Sequence, residues 1–257
     1  MGERTSHAPG TFSWVDLATT DAAGAKQFYG ELFGWEAEDV PGEGGTYTMF
    51  RLDGKDVAAC FAQGDGPPPH WNSYVTVEDV DAAVATTAEL GGSVLMPAGD
   101  VERIGRMAVI ADPTGAPVAL WEPRAHIGAG LVNAPGALCW NDLGTTDVDA
   151  AMAFHGELFG WTFEKRLDED PLRYMRIRNV DTENGSIHLQ GEDERGTPPS
   201  WLVYFATSDL DGTNSRLTEL GGQVIVPPLE VPAGGRVSVA TDPQGAAFGL
   251  FEGPLDP

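Results

Sequence analysis

The chain repeats itself. The block FSWVDLATTDAAGAKQFYGELFGWE, Phe12 to Glu36, returns as LCWNDLGTTDVDAAMAFHGELFGWT, Leu138 to Thr162, so that Trp14, Asp16, Asp21, Phe28, Glu31 and Trp35 reappear as Trp140, Asp142, Asp147, Phe154, Glu157 and Trp161. A later block, GGSVLMPAGDVERIGRMAVIADPTGAPVALWEP, returns as GGQVIVPPLEVPAGGRVSVATDPQGAAFGLFEG, and a four-residue insertion between the blocks falls in Leu167 to Arg173. A fainter repeat runs inside each half: Asp21, Glu31, Leu32 and Gly34 recur as Asp79, Glu89, Leu90 and Gly92, and Asp147, Glu157 and Gly160 as Asp209, Glu219 and Gly222. Four similar units in series confine the chain to architectures in which like modules pack on one another.

Within one module the hydrophobic period changes in a fixed order. FSWVDLAT reads as a strand; Thr20 or Asp21 then caps a helix whose apolar positions Ala25, Phe28, Leu32 and Phe33 follow 3.6 spacing until Gly34 stops it. The runs TYTMFRL and VAACFA follow as strands between glycine turns, giving the order βαβββ. The second module repeats that order with YVTV, DAAVATTAELGG, SVLM, MAVIAD and PVALWE, and Asp112 to Gly115 forms a tight turn before the last strand. Arg124 to Ala137 carries Gly and Pro without periodicity and reads as a linker, which divides the chain into a polar tail, 1–11, and two halves, 12–127 and 128–257. Whether the first module pairs with the second or with the fourth is left open, since both arrangements close the same sheets.

Charge and composition exclude several classes of partner. With 39 acidic against 15 basic residues in 257, the formal net charge is −24, which repels phosphate backbones and anionic lipid; neither nucleic acid nor a membrane is an expected partner. No apolar run approaches the roughly 20 residues needed to cross a bilayer. The first twelve residues are polar, without the apolar core of a secretory signal, and Cys60 and Cys139 fall in strands of different halves. A reducing cytoplasm is therefore expected. There is no GxSxG elbow, no phosphate loop, no GxGxxG after a strand and no CxxC pair, so no nucleotide cofactor is implied.

The paired modules, the TTD-to-GELFGW block and the DPTGAPVALWEP or DPQGAAFGLFEG ending together resemble the vicinal-oxygen-chelate superfamily, which includes glyoxalase I, extradiol dioxygenases and bleomycin-resistance proteins. The resemblance runs from about residue 12 to 253 and is strongest to the tandem two-domain actinobacterial branch, often labelled glyoxalase or hydroxylase and found near antibiotic pathways. It implies an α+β fold in which four βαβββ modules form two eight-stranded, cup-shaped mixed sheets with helices on the outside. It also implies a divalent metal on the concave face, held by His, Glu or Gln on particular strands. Those ligand positions fall on Trp14, Asn72 and Ala119 in the first half and on Trp140, Leu202 and Gly249 in the second. Glu122 and Glu252 lie an odd number of residues beyond the last-strand positions, so strand alternation turns them away from the cup. No metal is expected.

In place of ligands the cups carry rings. Strand alternation puts Phe12, Trp14 and Asp16 on one face of the first strand, with Leu138, Trp140 and Asp142 in the second half. Facing strands add Asn72, Tyr74 and Trp121 to the first cup, and Tyr204 and Phe251 to the second. Such a surface suits a flat aromatic guest, and the carboxylate favours a cationic or hydrogen-donating one. The expected function is metal-free binding of an aromatic small molecule, of the antibiotic-resistance or biosynthetic-accessory kind. The alternative is a secondary-metabolism enzyme, a hydroxylase, cyclase or isomerase acting on a polycyclic substrate, with Asp16, Asp142 or His188 as acid or base; a metal-dependent glyoxalase ranks third. Trp35, Trp71, Trp161 and Trp201 are expected in packing, and Arg106 and Arg236 in salt bridges. Two cups per chain make a monomer sufficient, with a homodimer also open.

Overall fold

The computed structural model describes residues 2–42, 45–64, 66–165, 173–231 and 234–255. Of the insertion expected in Leu167 to Arg173, only Arg173 lies among the described residues. The first module comprises β1 (Phe12–Thr19), α1 (Ala22–Phe33), β2 (Glu36–Gly42), β3 (Gly45–Leu52) and β4 (Lys55–Ala62). The second comprises β5 (His70–Thr76), α2 (Val80–Glu89), β6 (Ser93–Val101), β7 (Gly105–Ala111) and β8 (Pro117–Pro123). The third has β9 (Leu138–Thr145), α3 (Val148–Phe159), β10 (Thr162–Lys165), β11 (Met175–Asn179) and β12 (Thr182–Leu189); the fourth has β13 (Ser200–Ala206), α4 (Leu210–Glu219), β14 (Gln223–Glu230), β15 (Arg236–Thr241) and β16 (Ala247–Glu252). Among the described residues no helix is long and apolar enough to cross a membrane.

Each helix starts for the same local reason. Asp21, Asp79, Asp147 and Asp209 precede the four helices, and their carboxylates accept the backbone N–H of Gly24, Ala82, Ala150 and Gly212, a cap that contributes about 1 kcal/mol each. Gly34 and Gly160 end α1 and α3 in the left-handed conformation, at φ 75° and 72°.

The strands settle the pairing of modules. One sheet runs β2-β3-β4-β1-β5-β8-β7-β6 and the other β10-β11-β12-β9-β13-β16-β15-β14, so the first module pairs with the second and the third with the fourth. In each sheet the two modules meet through antiparallel strands, β1 with β5 and β9 with β13, while β1–β4, β5–β8, β9–β12 and β13–β16 are parallel. This is the α+β arrangement of two mixed eight-stranded sheets that the resemblance implied.

One expectation about faces is corrected by a β-bulge. Phe12 pairs with Val75 and Trp14 with Tyr74, so Ser13 is an extra residue on β1; Cys139 plays the same part on β9, between Leu138 opposite Phe205 and Trp140 opposite Tyr204. An extra residue breaks the period of two, and residues two apart then face opposite sides. Phe12 accordingly packs against Trp161 and Trp201, at ring separations of 5.4 and 4.9 Å, and Leu138 joins the core with Phe205. Neither shares the face of the Trp and Asp that follow it.

The helices cross between the halves. From α1, Phe28 packs on Phe248 of β16, and Tyr29 donates to Asp242 Oδ2 at 3.1 Å while accepting from the Trp71 indole at 3.1 Å. From α3, His155 takes the place of Tyr29, its Nε2 lying 3.3 Å from Oδ2 of Asp112. Both apolar cores therefore draw residues from both halves. Trp35, Trp71, Trp161 and Trp201 are all buried in them, as packing demands. Fully burying side chains of this size contributes about 2–3 kcal/mol each.

Candidate functional site

The two cups start from the same pair, Trp14 with Asp16 on β1 and Trp140 with Asp142 on β9, and diverge in what surrounds the carboxylate. In the first cup Asp16 is 1% exposed. Its Oδ2 accepts from Tyr74 at 2.7 Å and Tyr47 at 2.9 Å, and its Oδ1 from the Asn72 amide at 2.9 Å. The Trp14 indole donates onto Tyr47 at 3.0 Å. Burial raises the Asp16 carboxyl above its ordinary value, against the three hydrogen bonds that lower it.

The linker then fills the space above. The His126 ring stands edge-on to Trp14, 4.8 Å between centroids, and its carbonyl accepts from Trp121 at 2.9 Å. Burial lowers the His126 pKa, which keeps the plug neutral. Trp14, Asn72, Tyr74 and Trp121 thus come together as expected, but around a hydrogen-bonded core and a linker side chain.

The second cup is open. A cavity of about 720 Å³ is lined by Trp140, Asp142, Tyr174, Arg176, His188, Tyr204, Phe251 and others. The repeat shows how it opened. Aligning TYTMFRLDGKDVAACFAQ, Thr46 to Gln63, with RYMRIRNVDTENGSIHLQ, Arg173 to Gln190, matches Tyr47 to Tyr174, Ala59 to Ser186 and Phe61 to His188, as the strand registers Asp16 with Ala59 and Asp142 with Ser186 require; of the four extra residues expected in Leu167 to Arg173, three therefore fall after Gln190. Asn72 and Tyr74 match Leu202 and Tyr204. Leu202 gives Asp142 no amide donor like Asn72; among the described residues Asp142 accepts from the Ser186 hydroxyl at 2.5 Å, and Ser186 in turn accepts from Trp140 and Tyr174, each at 2.7 Å.

His188 is the other gain. Its ring stacks on Tyr174 at 6.2 Å and 15°, as Phe61 stacks on Tyr47 at 6.3 Å and 18°. Nδ1 lies 3.0 Å from Asp142 Oδ2, a contact that is electrostatic rather than a well-aligned hydrogen bond. Nε2 lies 3.2 Å from both oxygens of Glu194, at the end of the 3₁₀ turn Glu192–Glu194. Burial works against a charge here, but the two carboxylates outweigh it and push the His188 pKa up to about 9. The imidazole is a cation at neutral pH, with a proton on each nitrogen.

Tyr204 differs from its counterpart in a similar way. Burial and the nearby Asp142 charge raise its pKa well above the ordinary value, so it stays a phenol. No described residue hydrogen-bonds its hydroxyl, whereas Tyr74 donates to Asp16.

Tyr47, Tyr174, Ser186, Glu194 and His126 were not singled out from the sequence. Comparing the halves residue by residue across the insertion exposes the first three; the other two lie in a loop and a linker without periodicity. Arg106 and Arg236 form the expected salt bridges, to Asp81 and Asp211.

The side chains at the implied ligand positions do not fit a bound metal. Trp140, Leu202 and Gly249 supply neither imidazole nor carboxylate, and a Cβ on Gly249 would lie 2.2 Å from the Tyr204 ring, which covers that strand. In the first half Ala119 offers nothing and the Asn72 amide is spent on Asp16. Glu122 points to the helix side, accepting from Val80 N at 3.0 Å at the start of α2. Among the described residues no group of three or more His, Cys, Asp or Glu is placed to hold a metal ion.

Fold and site together define a glyoxalase-type cup protein with rings where coordination would occur. The chain belongs to the Glyoxalase/Bleomycin resistance protein/Dioxygenase superfamily, whose model matches residues 11–120 and 137–250. It is 43% identical over 258 residues to "Putative glyoxylase CFP32" of Mycobacterium tuberculosis, covering 98% of each chain. To the anthracycline biosynthesis protein DauV of Streptomyces sp. it is 37% identical, covering 96% of this chain and 95% of that one. In structure it is similar to the Mn(II)-bound glyoxalase from Novosphingobium aromaticivorans, at a TM-score of 0.68 and 16% identity, covering 95% of this chain and 82% of that one. At that identity the likeness is one of fold.

Proposed function

We propose that the chain binds a flat, conjugated small molecule in its second cup by ring stacking and hydrogen bonding, with no metal in the contact. The observation that carries this reading is the cavity of about 720 Å³ walled by Trp140, Tyr174, Tyr204 and Phe251. A volume of that order suits a small organic guest, and π-faces favour a planar one. The first cup, with its carboxylate saturated and its mouth filled by His126, serves as support.

The family relation to a protein named for anthracycline biosynthesis is compatible with a polycyclic ligand. Titration with 1,4-naphthoquinone, read as quenching of tryptophan fluorescence, tests the reading: saturable quenching that weakens at least tenfold in Trp140→Ala supports it. Near-stoichiometric transition metal in protein purified without chelators refutes the metal-free part.

A second reading is favoured by the His188–Asp142 pair. A cationic imidazole backed by a buried carboxylate can give a proton to a bound ligand and take it back, which is general acid–base chemistry. In that reading the chain is an accessory enzyme of secondary metabolism acting on a polycyclic substrate. Mass analysis of recovered ligand separates the two, since turnover lost in His188→Phe promotes the enzyme and an unchanged ligand leaves the binder.

A further inference from the structure

We propose that Glu194 occupies the place of a ligand oxygen in the second cup, and that the ligand which displaces it carries a negatively charged oxygen on its flat ring, a phenolate or an enolate. This rests on the reading of the second cup as a ring-binding site and names the chemistry of its guest.

His188 has two carboxylate partners of different standing. Asp142 is fixed in the β9 strand with its side chain only 9% exposed, whereas the Glu194 side chain is 40% exposed and comes from a short surface turn. An exposed ion pair contributes little to stability, so the outer partner is the replaceable one. Apart from His188, the Glu194 carboxylate accepts, among the described residues, only the backbone N–H of Gly191, at 2.9 Å.

The sequence around this contact departs from the repeat in two places at once. His188 stands where the first half has Phe61, and Gly144 where it has Ala18. A Cβ on Gly144 would lie 3.2 Å from Glu194 Oε1 and 3.4 Å from His188 Cε1. The histidine supplies the N–H, and the missing methyl makes room for an oxygen at its end. Inside the cavity the Tyr204 hydroxyl, without a partner among the described residues, offers a second donor.

Charge selects the class of guest. A neutral carbonyl that displaced Glu194 would exchange a charge-assisted bond for a weaker one and remove an anion from beside the imidazolium. A phenolate or enolate oxygen restores both the strong bond and the charge balance. The expectation that the cup carboxylate favours a cation is set aside in this proposal, because Asp142 is already taken by Ser186 and His188.

The test compares 2-hydroxy-1,4-naphthoquinone, an anion at neutral pH, with neutral 1,4-naphthoquinone, on the full chain and on Glu194→Ala and Glu194→Gln, with thermal melts to confirm folding. We expect Glu194→Ala to bind the anion at least fivefold tighter, Glu194→Gln to fall between it and the parent, and the neutral quinone to change by less than twofold. An unchanged or weaker affinity for the anion in Glu194→Ala, while the parent binds the neutral quinone, overturns the role of Glu194 and leaves the ring-binding site standing. Failure of either quinone to bind any of the three proteins overturns both.

Discussion

Replacing His188 with phenylalanine, the residue that the first half carries at the matching position, isolates the energetics of the second cup. In the folded chain the His188 pKa is about 9 against an ordinary 6.5. At about 1.36 kcal/mol per pH unit, that rise corresponds to about 3 kcal/mol of stabilisation. Part of it comes from Glu194, whose 40% exposed carboxylate is screened by water, so about 2 kcal/mol is the working figure. Because the folded-state pKa is the higher one, this stability is fully present below pH 6.5 and is lost as the pH rises through about 9.

Urea denaturation of the parent and of His188→Phe at intervals from pH 6 to 10 measures the effect. The difference in unfolding free energy should shrink by about 2 kcal/mol across that range, with most of the change between pH 7 and 10. Titrating groups away from His188 are common to both proteins and cancel, and burial pushes the Cys139 thiol up, away from the window. NMR titration of the His188 ring proton gives the midpoint directly. A pH-independent difference, or a midpoint near 6.5, would refute the claim that two carboxylates hold this imidazole charged.

The remaining predictions concern the scaffold. Asp16→Ala leaves Tyr47, Tyr74 and Asn72 without their shared acceptor and should cost about 3 kcal/mol in urea denaturation, yet leave naphthoquinone titration of the second cup unchanged. Loss of ligand binding in a folded Asp16→Ala protein would count against a purely supporting first cup. Tyr29→Phe removes both the donor to Asp242 and the acceptor for Trp71, and a loss of about 1–2 kcal/mol is expected in the same assay.

Much of the architecture is legible in the repeat, because the features that recur are the ones a βαβββ unit needs: Asp21 and its copies as caps, Gly34 and Gly160 as stops, Asp112 and Asp242 holding tight turns through their own backbone. Module pairing is not legible, since it depends on which strand edges meet, and all four units present similar edges. The positions of Phe12 and Leu138 escape for a different reason. A bulge adds one residue without altering composition, and Ser13 or Cys139 looks like any other strand residue until its partner strand is known.

At the site, Trp14, Asp16, Trp140, Asp142 and His188 stand out from the sequence, but the difference between the cups does not. That difference lies in Ala59 against Ser186 and Phe61 against His188, pairs hidden by the shift of register at the insertion. It lies also in His126 and Glu194, which reach their cups from segments without a period.

The exchange of helices between halves limits how this chain can come apart. Phe28 and Tyr29 are roofed by the fourth module, and Phe154 and His155 sit against the second. Severed at the linker, either piece would turn an aromatic surface towards water and leave a buried acid without its phenol or imidazole neighbour. The first half is thus part of the footing on which the second, with its open cup, stands.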